Sequence, residues 1–255
     1  MKAKTKTKAL LMSLCAVLLV AASVLGTMAY LTDSKDVKNT FTVGNVAITL
    51  DEAKVDGNGN AINKQGKRVT NLADAERVPG NAYKLLPGHT YTKDPTVTVL
   101  APSVESYVRM KVTFNKASAL IAMCTDPEYG DEVTGVENAF PLIRMVKFVE
   151  ANAAKWDGII PDNMVDTKDM LADPKYIDAK NDTLTYYFYY NEAVAAPTEN
   201  VVLPTLFDKI TLPEWVTGDQ LKALQGFEIN VVAEAIQADG FENADAAWAA
   251  FAAQK

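Results

Sequence analysis

Hydrophobic and polar positions alternate with a period of two along several stretches of this chain, the pattern of half-buried β-strands. Thr96-Val97-Thr98-Val99 alternates cleanly. Between Glu105 and Phe114, the residues Val108, Met110, Val112 and Phe114 share one face, and Tyr107, Arg109, Lys111 and Thr113 share the other. Thr183 to Asn191 sets Leu184, Tyr186, Phe188 and Tyr190 on one side, and Gly226 to Ala235 does the same with Phe227, Ile229, Val231 and Ala233. Leu142 to Val149 is apolar without clean alternation, which suits a strand buried on both faces. In Phe41 to Leu50 the phase flips at Gly44: Phe41 and Val43 fall in one phase, Val46, Ile48 and Leu50 in the other. A glycine inside such a pattern marks a bulge or bend that re-aims the residues after it.

Turn-rich connectors separate these segments, at Asp56-Gly57-Asn58-Gly59-Asn60, Leu86-Pro87-Gly88, Asp126 to Gly135 and Ala196-Pro197-Thr198. Short helices are predicted at Lys116 to Met123, at Gly218 to Gln225 after Thr217, and at Asn243 to Ala253. The last is rich in Ala, with Trp248 and Phe251 three apart on one face, and should close over the body as a lid. Strands at irregular spacing, helices in the connections and no βαβ rhythm predict a mostly β protein, an antiparallel sandwich of jelly-roll type with a C-terminal helix.

Composition fits a globular chain of 255 residues, 49% hydrophobic and 22% charged, with two Cys and one His. A chain of this length builds its core without metals or disulfides. The four lysines Lys2, Lys4, Lys6 and Lys8 are the only charges in residues 1–29; beyond them stand 21 basic and 32 acidic groups, a formal net charge of −11. An acidic surface repels phosphate backbones, so no nucleic-acid partner is expected.

Residues 1–29 read as an export signal: a lysine-rich start, an uncharged run from Ala9 to Ala29, and small residues Thr27 and Ala29 placed three and one before a cut that leaves Tyr30 at the mature N-terminus. The alternative is a retained anchor, because the apolar run is nearly long enough to span a bilayer. After cleavage no membrane attachment is expected. Leu14 ahead of Cys15 does not suit lipid attachment, and removal of Cys15 with the leader leaves Cys124 without an intramolecular partner, most simply as a small buried apolar residue.

Catalytic signatures are missing: there is no G-x-S-x-G, H-E-x-x-H, G-x-x-x-x-G-K-[ST] or C-x-x-C. His89, the one imidazole, sits in the turn Leu86-Pro87-Gly88-His89-Thr90 and is expected to be solvated. No catalytic residue, cofactor or metal site is therefore assigned, and an enzyme is not expected. Asp56 to Asn60 offers oxygens like the start of a calcium loop, but Ala61 stands where the loop glycine belongs and Lys67 where the bidentate Glu belongs, which favours a hairpin turn. Tyr187 and Tyr189, facing away from Leu184, offer either a platform for stacking sugars or a surface that a loop or subunit covers.

Tyr30 to Thr40 holds too few large apolar residues for a core of its own. Burying Leu31, Val37, Phe41 and Val43 contributes roughly 1.5–3 kcal/mol each, each ladder hydrogen bond about 0.5–1.5 kcal/mol, and ordering the backbone of about ten residues costs roughly 10–20 kcal/mol. The segment is near balance. It docks on its own domain, stays disordered, or adds as a strand to another molecule's open edge.

The same residues carry a family resemblance. Gly26-Thr27-Met28-Ala29-Tyr30-Leu31-Thr32-Asp33-Ser34 followed by Asn39-Thr40-Phe41-Thr42-Val43-Gly44-Asn45-Val46 resembles the TasA/camelysin family of exported proteins from Gram-positive bacteria, as do Leu86-Pro87-Gly88 with Lys93-Asp94-Pro95-Thr96-Val97-Thr98-Val99, and Ala235-Ile236-Gln237-Ala238-Asp239-Gly240-Phe241. The resemblance implies a jelly-roll sandwich, processing by a SipW-type signal peptidase, and a role as subunit or accessory of an extracellular biofilm-matrix or cell-surface fibre. It implies a donor segment over residues 30–40, ahead of a single β-sandwich domain over 41–255, that joins copies or a paralogous subunit head to tail through Tyr30, Leu31, Val37, Phe41 and Val43. Camelysin-like surface metallopeptidase activity and carbohydrate-binding adhesion are the alternatives; the first lacks a zinc signature here.

Overall fold

A computed structural model describes residues 32–35, 46–124, 146–148, 152, 155–157 and 177–254. Its architecture is mostly β, with every strand pair antiparallel. In chain order the strands are β1 (Thr32–Lys35), β2 (Ile48–Ala53), β3 (Arg77–Val78), β4 (Thr90–Thr92), β5 (Thr96–Val99), β6 (Ser106–Asn115), β7 (Val146–Phe148), β8 (Trp156–Asp157), β9 (Ile177–Asp178), β10 (Thr183–Tyr190), β11 (Val201–Val202), β12 (Phe207–Thr211) and β13 (Ile229–Gln237). They form a six-stranded sheet in the order β1-β13-β6-β10-β8 with β9 also on β10, a four-stranded sheet β11-β5-β2-β3, and a three-stranded sheet β4-β12-β7.

Alternation decides what the large sheet buries. On β6, Val108, Met110, Val112 and Phe114 are fully buried. Across the ladder, Met110 lies opposite Phe188 of β10 on one side and Ala233 of β13 on the other, and Val112 lies opposite Tyr186 and Val231. Small alanines at 233 and 235 stand beside Met110 and Val108, so bulky and small side chains share the layer. This inner face packs on Ile48, Val97 and Val99 of the four-stranded sheet and on Phe207 and Ile210 of the three-stranded one, all in one apolar cluster. Each such large side chain contributes roughly 1.5–3 kcal/mol on burial.

The helices fall where the sequence places them. α1 (Ala117–Cys124) inserts Ala117, Leu120 and Met123 into the same core. α2 (Gly218–Ala223) opens on a capping box in which the Thr217 side chain accepts from the Gln220 amide and the Gln220 side chain accepts from the Thr217 amide. α3 (Ala244–Ala253) is capped by Asn243, whose Oδ1 accepts from the Ala246 amide at 2.9 Å. Its Ala247, Trp248 and Phe251 are buried against Ile236, Tyr107 and Tyr189 on the outer face of the six-stranded sheet. Alternation over Gly226–Ala235 continues to Gln237, and β13 starts later, at Ile229. Gly226 instead adopts φ +75° at the turn that follows α2, a conformation open to glycine. Of the Phe41–Leu50 expectation, Val46 and Ile48 are buried in the predicted phase, and Gly44 lies outside the described residues. The same holds for most of Leu142 to Val149, of which β7 is described.

Candidate functional site

Two places on this scaffold concentrate charge where water is scarce. The first follows the edge of β13. β1 runs antiparallel to it, with Thr32 opposite Ile236, Asp33 opposite Ala235, Ser34 opposite Glu234 and Lys35 opposite Ala233. β1 is therefore the terminal strand of the large sheet, and β13, which would otherwise end it, is covered over these four positions. Beneath α3, directly beside this pairing, Arg109 of β6 faces its cross-strand neighbour Glu234: Nη2 lies 2.6 Å and Nε 2.7 Å from Oε2. Both residues are buried. The guanidinium carbon lies 4.2 Å from the Trp248 ring centroid, 4.7 Å from Tyr187 and 5.1 Å from Phe251. A planar cation stacks on aromatic faces at little desolvation cost compared with an ammonium, which is why an arginine can serve here.

The second place joins β2, the loop after β3 and the β4–β5 connection. The Glu52 carboxylate accepts from Lys93 Nζ at 2.6 Å through Oε2 and from Asn81 Nδ2 at 2.8 Å through Oε1. Glu52 and Lys93 are both buried. The Asn81 carboxamide is held at both ends, with Nδ2 donating to the Ala53 carbonyl and Oδ1 accepting from the Val55 amide, each at 2.9 Å. The Tyr83 hydroxyl donates to the Thr92 carbonyl at 2.9 Å, and its ring lies 5.8 Å from Lys93 Nζ. Burial first, and then the Glu52 charge, push the Tyr83 hydroxyl well above its usual range, so it stays a neutral donor. Next to this group Asp94 accepts from the Ala53 amide at 2.6 Å and is paired with Arg77, which also reaches Asp51 at 2.8 Å. Burial pushes the Asp94 carboxyl up, against the pull of the Ala53 amide and Arg77. A cavity of about 470 Å³, whose wall includes Asn81, Tyr83, Tyr91, Lys93, Phe227 and Asn230, opens beside the cluster. A smaller one of about 160 Å³ shares Asn81, Lys93 and Asn230 with it and adds Glu52.

Of the residues singled out in the sequence, Thr27, Ala29, Tyr30, Leu31, Val37, Phe41 and Val43 lie outside the described residues, as does Cys15. Cys124 is the last residue of α1. His89 is half-buried rather than freely solvated: its Nε2 lies 2.7 Å from the Asn58 carbonyl and its ring packs edge-on against Tyr91, because the 86–90 turn folds onto the 56–60 hairpin. In that hairpin Asp56 accepts from the Asn58 and Asn60 amides, the Asn60 side chain and Arg68. Burial raises the Asp56 carboxyl, but the Asn60 and Asn58 amides outweigh it and bring the pKa down to about 2. Gly59 has φ +76°, and a Cβ there would collide with the Tyr91 ring, so both the turn and the packing demand glycine. Tyr187 and Tyr189 stack on each other and are engaged by Arg109 and, for Tyr189, by Trp248. Tyr189 lies under α3 beside Trp248, and the half-buried Tyr187 packs on Tyr189 and Arg109.

Sequence reading passed over Arg109, Glu234, Glu52, Asn81 and Lys93. Arg109 stood on the polar side of an alternating strand, where a charge normally means solvent, and only the two aromatics of α3 hinted at a cover. Glu52 and Lys93 are 41 residues apart, and no local spacing links them. No family model matches the chain, and comparison with curated proteins and with solved structures finds no match. Among the described residues no helix is long and apolar enough to cross a membrane.

Proposed function

We propose that this chain is an exported structural protein, a subunit or accessory of an extracellular biofilm-matrix or cell-surface fibre, released by a SipW-type peptidase after Ala29 and joined to its neighbours by exchange of its N-terminal strand. The observation that carries the reading is the β1–β13 pairing: a short strand near the start of the mature chain closes the edge of the large sheet, and residues 36–45 separate it from the rest of the sandwich. The same antiparallel register made with a second copy needs no new surface, since every bond within the chain has its equivalent between chains. Such an exchange is heterologous and does not close on itself, so it extends into filaments. A jelly-roll connection of the sheets is part of the same reading.

A four-residue ladder suits exchange energetically. Its hydrogen bonds contribute about 0.5–1.5 kcal/mol each, against a backbone ordering cost of roughly 1–2 kcal/mol per residue. The test compares residues 30–255 with a form lacking 30–39 by electron microscopy and by size in solution. Filaments from the longer form and monomers from the shorter are expected. Equal filament content in the two would overturn the reading.

A further inference from the structure

The Glu52–Lys93–Asn81 group has the parts of a self-modifying site, and this inference stands independently of fibre assembly. One carboxylate bridges an amine and a carboxamide, with Lys93 Nζ on Oε2 and Asn81 Nδ2 on Oε1, at 2.6 and 2.8 Å. The amine is nearly sealed from water and backed by the Tyr83 ring. The carboxamide cannot turn away, because Val55 and Ala53 hold its two ends. We propose that Lys93 and Asn81 become joined by an isopeptide bond between Nζ and Cγ, formed within the folded chain with Glu52 carrying the protons.

Each part supplies one requirement of amide exchange. An ammonium is no nucleophile, so Lys93 must first give a proton to Glu52. The 2.6 Å contact between Nζ and Oε2 gives that proton a direct path. The free amine then moves from Oε2 to the carbon of Asn81, whose Nδ2 sits on the other oxygen of the same carboxylate. As Nζ–Cγ forms, negative charge gathers on Oδ1, which already accepts from the Val55 amide. The leaving nitrogen, Nδ2, faces Oε1 of the now protonated Glu52, which returns its proton there. The Cγ–Nδ2 bond breaks, the departing ammonia takes up the second proton shed by Nζ, and Glu52 is left as a carboxylate. One ammonium and one carboxamide become one secondary amide and one ammonium ion, with no oxidant, metal or cofactor. The cavity bordered by both Asn81 and Lys93 provides the exit.

The bond would fasten the loop after β3 to the β4–β5 connection. Mass spectrometry of the intact, denatured chain tests it, followed by proteolytic mapping. The expected result is a major species lighter than the sequence mass by one ammonia, and a branched peptide joining the segments around Lys93 and Asn81. K93R, which keeps a cation beside Glu52, and E52Q should both keep the full mass. N81D should form the same link with loss of water instead of ammonia. A wild-type chain at full mass without the branched peptide would overturn the proposal, as would an ammonia loss that persists in K93R. K93R retains the ion pair, so a folded control exists even if E52Q does not fold.

Discussion

The two faces of the six-stranded sheet solve the same packing problem by different means. The inner face is mostly apolar, with Val108, Met110, Val112, Phe114, Leu184 and Phe188 in one cluster with the smaller sheets and Ser106 at the end of β6 as a buried polar exception. The outer face carries a charge at its centre, and it is closed by one ten-residue helix that lays Trp248 and Phe251 over the Arg109–Glu234 pair. Burial on the inner face is shared among many neighbours, so a loss there is felt by the whole core at once. The outer face depends on one ion pair: without Glu234, the guanidinium keeps a long contact to the Tyr189 hydroxyl, at 3.5 Å, and no carboxylate. A polar face is thus converted to interior at the cost of fragility, and the fragility is local to α3 and the edge that bears β1.

This contrast can be broken or sharpened by substitution. Phe188→Ala, which opens a void where side chains from three sheets meet, is expected to lower global stability by about 3–5 kcal/mol in urea unfolding, with every probe reporting one transition. Glu234→Ala should cost about 3 kcal/mol, the penalty for stranding a buried charge; in contrast to Phe188→Ala, Trp248 fluorescence and proteolysis near α3 should change at lower urea than circular dichroism of the sheets. Coincident transitions in that variant would remove the distinction between the faces. Asn243→Ala, which deletes only the helix cap, should cost about 1 kcal/mol and raise amide exchange in α3 while leaving the β6 and β10 amides as they were. The smallest effect is expected for Thr113→Val: Thr113 and Thr185 pair across β6 and β10 on the outer face beyond the cover of α3, with hydroxyls 3.1 Å apart, and the change should stay below about 0.5 kcal/mol in the same unfolding assay.

Local pattern made much of this architecture legible. β5 spans the alternating Thr96–Val99, β6 and β10 match theirs within a residue, and the three helices start within a residue of their predicted positions because Thr217 and Asn243 are caps and Ala244–Ala253 has strong helix propensity. Strands without such a signature were missed. β11 is two exposed valines, and β12 and β4 hold one another through a ladder between Thr90–Thr92 and Lys209–Thr211, a pairing that no local window contains. The candidate site was less legible. Arg109 and Lys93 each occupy sequence contexts that ordinarily face water, and their partners Glu234 and Glu52 lie 125 and 41 residues away. Burial of a charge is a property of the assembled layers, so it becomes visible once α3 and the loop at 79–83 are in place.

The antiparallel seat of β1 also bears on the proposed strand exchange. Any outside strand seeking positions 233–236 faces a resident already joined to the same body by ten residues of chain, and a covalently joined strand competes at an effective concentration of roughly millimolar. Dilute molecules would therefore ignore one another. On the proposed reading, exchange would begin only where many copies are held together, and a dilute chain would keep its own strand in place.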